Sequence, residues 1–222
     1  MPLRANLFQE IQNCIGQAAN LNFTVASDAS DLFEAYIFCI AIEASKREGA
    51  TVVFENVMGQ RPCPVIFRTS PGRIWTKDPA YTHAVIQFPN KPGLEAHIGV
   101  YVSGRSGLVH ESDVAVVLRD EATTCRTYSV HPRCSKVLMG IECKFYSAGL
   151  KLNLARSFIG LTSDIANDHR FFVANTASNS IQRLLTHHKR KWSQEAYPDN
   201  GIEITRLRSL FETAFKEFKA KT

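Results

Sequence analysis

The chain has 222 residues, of which 45% are hydrophobic and 21% charged, and its formal net charge is +5. This composition is typical of globular proteins and excludes a disordered or low-complexity chain. No apolar run reaches the roughly 20 residues that a membrane-spanning helix needs, and the N-terminus lacks the hydrophobic region of a signal peptide. We therefore expect one domain over residues 1–222, in the cytoplasm and without membrane contact.

Two helices and one strand are predicted in the first quarter of the chain. An apolar stripe at helical spacing begins near the N-terminus and consists of Leu3, Leu7, Ile11, Ile15 and Ala18. A nearly all-apolar segment predicts a buried helix over about 31–46, followed by a strand over about 51–57. Glu34 carries a charge inside this helix and is a candidate site residue. The spacing Asp31-x-x-Glu34 fits a capping arrangement equally well.

Residues 64–107 are predicted to form a β-rich insertion. Strand-like runs at 64–69, 84–88 and 96–102 are separated by turns rich in glycine and proline. The last two runs are expected to pair as a hairpin. The insertion elaborates the main sheet, where it either shapes a substrate groove or an oligomer contact, or only extends the sheet.

Charged residues interrupt two otherwise apolar strands. Asp113 lies near the start of a strand at 110–118, and Glu142 and Lys144 share one face of a strand at 137–146. Buried charges are costly unless they are paired, bound to a metal or solvated in a cleft. If the two strands are neighbours, the three side chains converge, and two carboxylates suit a hard cation such as Mg²⁺. The polar stretch 119–136 between the strands is predicted to be a loop.

Asp113 followed by Glu142-Cys143-Lys144 resembles the motif of the PD-(D/E)XK nuclease superfamily, which has the restriction-endonuclease-like fold. The resemblance covers about residues 31–176. It implies an α/β fold whose core runs helix, three antiparallel strands, helix, strand, in a mixed central sheet flanked by helices. Ser112 stands before Asp113, where the family name has proline.

The core elements implied by the resemblance are the helix at 31–46 and the strands at 51–57, 110–118 and 137–146. A helix at about 150–164 and a strand at about 171–175 complete the core. Helices predicted at 179–188 and 202–219 belong to a helical C-terminal extension over about 177–222. The apolar and aromatic stripe of the last helix fits either core packing or a dimer interface.

The activity implied by the resemblance is Mg²⁺-dependent cleavage of phosphodiester bonds, with duplex DNA as the expected substrate. Asp113, Glu142 and Glu34 would hold one or two Mg²⁺ ions, for which Mn²⁺ would substitute. Lys144 would orient or deprotonate the attacking water. Restriction or anti-phage defence is the implied role, in a homo-oligomer that a regulatory or recognition partner could control. The alternative is a catalytically idle nuclease-fold subunit that binds nucleic acid or a protein partner.

The excess of positive charge lies in the C-terminal third. Residues 151–222 contain 12 Lys and Arg against 7 Asp and Glu, whereas residues 1–150 contain 14 of each kind. Basic residues near the nuclease motif, or clustered at a helix end, are candidates for phosphate contacts. These candidates are Lys151, Arg156, Lys189, Arg190 and Lys191. The last three also fit a solvated helix C-terminus.

Overall fold

The computed structural model of the protein describes residues 2–17, 19–165 and 169–221. Ala18, the last member of the predicted N-terminal stripe, lies outside the described residues. The helices are α1 Pro2–Ile15, α2 Ala29–Arg47, α3 Arg119–Tyr128, α4 Leu152–Asp164, α5 Asn179–His187 and α6 Gly201–Lys221, with a 3-10 turn at Cys134–Lys136. The strands are β1 Thr51–Asn56, β2 Thr82–Gln87, β3 Leu94–Ser103, β4 Val109–Leu118, β5 Val137–Lys144, β6 Arg170–Ala174 and β7 Lys191–Ser193.

The described strands form one seven-stranded mixed sheet in which they follow sequence order from β1 to β7. Strands β1 to β5 are antiparallel, and β6 and β7 run parallel to β5. The two parallel steps need crossover connections, which α4 and α5 provide. The expected α/β architecture, a mixed sheet flanked by helices, is therefore confirmed.

Alternate residues of the strands pack against different helices. On β4, Val114 and Val116 join the large apolar cluster that contains most of α2 and α6, whereas Ala115 and Val117 join a second cluster with α3. The stripe of α6 packs into the first cluster, with Phe211 and Phe215 fully buried. The sequence left core packing and a dimer interface open for this stripe, and the described residues show core packing.

The prediction of a loop at 119–136 was wrong, because its first part is the ten-residue helix α3. Ala122 and Cys125 are fully buried and lie three residues apart, so one narrow apolar stripe anchors an otherwise polar helix. Ser129 ends the helix in the left-handed conformation with φ of 55°, and its N–H donates to the carbonyl of Cys125. Such a narrow stripe is difficult to distinguish from a polar loop in the sequence.

The predicted strand at 64–69 was also wrong. Within it only Val65 makes an isolated bridge, to Leu21. The amide of Asn22 replaces a partner strand, since it accepts from the N–H of Phe67 at 3.0 Å and donates to its carbonyl at 2.9 Å. The other two runs of the insertion are confirmed as the antiparallel hairpin of β2 and β3.

The position of this hairpin changes the assignment of the core strands. Because β2 and β3 lie between β1 and β4, the strand at Thr51–Asn56 is not a neighbour of the Asp113 strand. The antiparallel neighbours of β4 are β3 and β5. The C-terminal extension is not wholly helical either, because β7 adds an edge strand to the sheet.

Candidate functional site

Two central strands separate at the residues that the sequence singles out. The described pairing of β4 with β5 ends at Val114 and Ile141, which are the immediate chain neighbours of Asp113 and Glu142. Beyond this pair the N–H of Cys143 donates to the Asp113 carboxylate, at 2.6 Å, in place of a backbone carbonyl of β4. The separation leaves an opening between the strands in which charged side chains meet.

The predicted convergence of Asp113, Glu142 and Lys144 is confirmed. The Lys144 ammonium lies 2.6 Å from Oε1 of Glu142 and 3.7 Å from Oδ2 of Asp113. The side chain of Asp113 is 7% exposed, whereas those of Glu142 and Lys144 are each 22% exposed. The site is therefore closed on the Asp113 side and open to a ligand beside Glu142 and Lys144.

Glu34 belongs to this site and does not cap its helix. Helix α2 begins at Ala29, and its cap is Asp28, whose carboxylate accepts from the N–H of Ser30 at 2.8 Å. Burial and the charge of Asp113 raise the pKa of Glu34 to about 9. The alternative interpretation of Glu34 as a helix-capping residue is therefore excluded.

Glu111 is a further member that the sequence reasoning missed. It lies two residues before Asp113 on β4, so both side chains start from the same face of the strand. Glu111 is exposed, and partial desolvation together with the charge of Glu142 raises its pKa. The signal was present in the sequence, because Glu111-x-Asp113 repeats the spacing of Glu142-x-Lys144. We call the cluster of these residues the carboxylate fork; its members are Glu34, Glu111, Asp113, Glu142 and Lys144.

The carboxylate fork contains four carboxyl groups and one ammonium group. Burial and Glu142 raise the pKa of Asp113 to about 7, although Lys144 and the N–H of Cys143 oppose this shift. Burial disfavours the ammonium of Lys144, but Asp113 and Glu142 outweigh it and raise the pKa of the lysine. Lys144 is therefore a fixed cation, and its one charge does not balance the surrounding carboxylates.

Oxygen donors with an excess of negative charge fit a hard divalent cation. Mg²⁺ prefers oxygen ligands and commonly binds through one or two carboxylates together with water or substrate phosphate. A bound cation would offset the repulsion that raises the pKa values of Glu34 and Asp113. By donor chemistry, the residues present fit Mg²⁺ or Mn²⁺.

The structure separates the predicted phosphate contacts into two groups. Lys151 immediately precedes α4, the helix that follows the fork strand β5, and Arg156 is exposed in the first half of α4. Lys191 pairs in register with Phe171 on β6, three residues before Ala174, the partner of Lys144.

Lys189 and Arg190 lie just before Lys191, in the connection between α5 and the edge strand β7. The ammonium of Lys191 lies 3.1 Å from Nδ1 of His169. The cluster at 189–191 is therefore two strands from β5, and Lys151 and Arg156 are the better placed pair.

A scan against protein-family models and searches of curated proteins and of solved structures found no match to this chain. Among the described residues, no helix combines the length and the apolar character needed to cross a membrane.

Proposed function

We propose that the protein is a Mg²⁺-dependent endonuclease that cleaves phosphodiester bonds at the carboxylate fork, with duplex DNA as its substrate. The observation that carries this proposal is the charge imbalance of the fork, where four carboxyl groups face a single lysine. A cluster of four carboxyl groups destabilises the fold when no cation is bound. Such clusters are typical of sites where a bound cation takes part in catalysis.

Each member of the fork has a distinct role in this proposal. Asp113 and Glu142 would hold the cation, since they lie on adjacent strands at the point of separation. Glu111, and Glu34 once a cation displaces its proton, would add negative charge beside them, which would favour a second cation. When bound, Mg²⁺ would polarise the scissile phosphate and lower the pKa of an attacking water.

Lys144 acts as a charged group in this mechanism. Because Asp113 and Glu142 raise its pKa, the ammonium keeps its proton and orients the water or stabilises negative charge on the phosphate. Of the two roles that the resemblance implies for this lysine, orientation of the water fits better than its deprotonation.

The fold assignment that accompanies the proposal uses β3, β4 and β5 as the three antiparallel core strands. Helix α4 and strand β6 then follow β5 in the order that the PD-(D/E)XK resemblance implies. In this assignment β1 and β2 extend the sheet beyond the core. A role in restriction or anti-phage defence, in a homo-oligomer that cuts both strands, rests on the same resemblance.

The test is cleavage of supercoiled plasmid DNA in Mg²⁺ or Mn²⁺, compared with the same reaction in EDTA. We expect the wild-type protein to nick or linearise the plasmid, and Asp113→Asn and Lys144→Met to reduce the rate at least about 100-fold. Asp120→Asn and Lys77→Met are matched controls, because both side chains are exposed and lie outside the fork.

Cleavage that persists in both fork variants would contradict the assignment of the site. Duplex binding that is unchanged by EDTA and by Lys144→Met, without cleavage under any condition, would favour the alternative of an idle nucleic-acid-binding subunit.

A further inference from the structure

A second cluster of metal-binding side chains lies on the hairpin of β2 and β3. His83 stands one residue before Ala84, which pairs with Ala96, so it is opposite His97 across the two strands. The two imidazole rings stack with their centroids 4.8 Å apart at an angle of 22°. Glu95 is two residues before His97 and on the same face of β3. We call His83, Glu95 and His97 the histidine triad.

The histidine triad is closed to solvent. Its side chains are 3%, 0% and 8% exposed for His83, Glu95 and His97. Buried nitrogen and oxygen atoms normally have hydrogen-bond partners. Nε2 of His83 is nevertheless without one, and it lies 3.6 Å from Oε2 of Glu95. This nitrogen is therefore available to a ligand that lies beside the carboxylate.

The spacing of the three donor atoms fits a metal ion. Nε2 of His97 is 3.0 Å from Oε2 of Glu95, and one donor atom from each of the three residues lies within 4.8 Å of the others. Ligands bound tetrahedrally at about 2.0–2.1 Å are separated from each other by roughly 3.3 Å. Small side-chain movements would therefore bring all three donors to one ion.

We propose that His83, Glu95 and His97 form a second metal site, which binds a divalent first-row transition ion such as Zn²⁺. Two imidazoles and one carboxylate suit this class of ion, whereas the all-oxygen carboxylate fork suits Mg²⁺. An imidazole binds such an ion through the lone pair of an unprotonated ring nitrogen.

Arg126 both assists and opposes this site. Its guanidinium donates to both oxygens of Glu95, at 2.7 Å each. A carboxylate has about four lone-pair positions. Arg126 takes two and the hydrogen bond with His97 a third, so one remains for a metal while Arg126 fixes the orientation of Glu95. The positive charge of Arg126 repels a cation, however. Arg119 contributes less, because it lies 3.8 Å from Glu95 and pairs with Glu55 at 3.1 Å.

The histidine triad does not depend on the proposed endonuclease activity. The triad joins β2 to β3, and Glu95 pairs in register with Val117 on β4, the strand that carries Asp113. A metal there would fix the hairpin to the centre of the sheet. The proposal therefore predicts a metal that stabilises the fold, whether or not the fork cleaves DNA.

The first test is Co²⁺ binding to chelator-treated protein in excess Mg²⁺, which occupies oxygen-only sites. We expect one equivalent of Co²⁺ to bind and to give visible absorption bands of nitrogen-coordinated cobalt, and Zn²⁺ to displace it. His83→Phe and His97→Phe should weaken binding by more than the roughly 10–100-fold loss that follows removal of an outer hydrogen-bond partner. Glu142→Gln, in the fork, should leave it unchanged.

Arg126→Gln tests the electrostatic part of the proposal. Glutamine can still donate to Glu95 but carries no charge, so Co²⁺ should bind more tightly to this variant than to the wild type. Equal or weaker binding would contradict the inferred repulsion between Arg126 and the ion.

A thermal melt separates loss of the metal from loss of the fold. His83→Phe removes a buried nitrogen that has no partner, so in EDTA it should unfold at or above the wild-type temperature. Zn²⁺ should then raise the unfolding temperature of the wild type but not that of His83→Phe. The proposal is overturned if Zn²⁺ has no effect on the wild type, or if both proteins respond equally.

Discussion

The carboxylate fork and the histidine triad hold carboxyl groups under opposite electrostatic conditions. In the fork, the pKa values of Asp113 and Glu34 are raised to about 7 and about 9. In the triad, burial also disfavours ionisation, but Arg126 and His97 outweigh it and hold the pKa of Glu95 well below its usual range. Glu95 is fully buried, so the depth of burial does not explain the difference.

The difference shows which carboxylates need an external cation. Glu95 is paired with the guanidinium of Arg126, so its charge does not require a metal. The fork contains more carboxyl groups than its single lysine can balance, so it needs a cation to be fully ionised. The same substitution, glutamate to glutamine, should therefore have opposite effects in the two places.

The largest expected effect on stability is that of Glu95→Gln. Loss of the carboxylate leaves the guanidinium of Arg126 without its buried partner, which should lower the free energy of unfolding by about 3 kcal/mol. Urea denaturation in EDTA measures this change. A variant as stable as the wild type would show that the pair with Arg126 contributes nothing.

Glu34→Gln should stabilise the metal-free protein. Because its pKa is about 9, folded Glu34 holds a proton at pH 8 that the unfolded chain has released, and this proton uptake costs free energy. Glutamine removes the cost and should add at least about 1 kcal/mol in EDTA. In excess Mg²⁺ the gain should shrink or reverse, since the variant lacks a charge that attracts the cation. A loss of stability in EDTA would contradict this account.

The pH dependence of stability gives the third prediction. A carboxyl group with a raised pKa stabilises the fold only while it is protonated. The metal-free protein should therefore lose stability as pH rises through the window between the unfolded values near 4 and the folded values of about 7 and about 9. The increase in unfolding temperature caused by Mg²⁺ should grow over the same window, because protons no longer compete with the cation. If Mg²⁺ raised the unfolding temperature equally at pH 5.5 and pH 8.5, the result would be inconsistent with Mg²⁺ binding at the fork.

The smallest expected effects concern binding to phosphate groups. Lys151→Ala combined with Arg156→Ala should reduce the slope of log affinity against log salt by about 0.9 for each phosphate that is no longer neutralised, as measured with duplex DNA in EDTA. Lys189→Ala combined with Arg190→Ala is the matched pair, and it should change the slope less because these residues lie two strands away from β5. A larger change of slope in the Lys189→Ala, Arg190→Ala variant would place the nucleic acid at the edge of the sheet, near β7.

Glu142 and Lys144 could be predicted because two charges, two residues apart, interrupt an otherwise apolar strand. The same pattern occurs at Glu111-x-Asp113 and at Glu95-x-His97, and both were missed although each lies in an apolar strand. The pattern alone does not show which strands are neighbours. That information depends on long-range pairing, and it determines that His83 faces His97.

The errors in secondary structure have local physical causes. Helix α3 depends on a stripe as narrow as Ala122 and Cys125. In the segment at 64–69, the side chain of Asn22 bonds the backbone of Phe67 in place of a partner strand. Part of the sheet that packs against Ala122 and Cys125 is distant in sequence from α3, and Asn22 is 45 residues from Phe67. Neither contact can be predicted from a short segment of sequence.

The most direct test of the central claim, that the excess carboxylates of the fork bind a divalent cation, is an anomalous-scattering map from crystals soaked in Mn²⁺. The account predicts a peak within bonding distance of the Asp113 and Glu142 carboxylates, which disappears in the Asp113→Asn variant. A fully ordered fork without a peak, in crystals where Mn²⁺ is bound elsewhere on the protein, would contradict it.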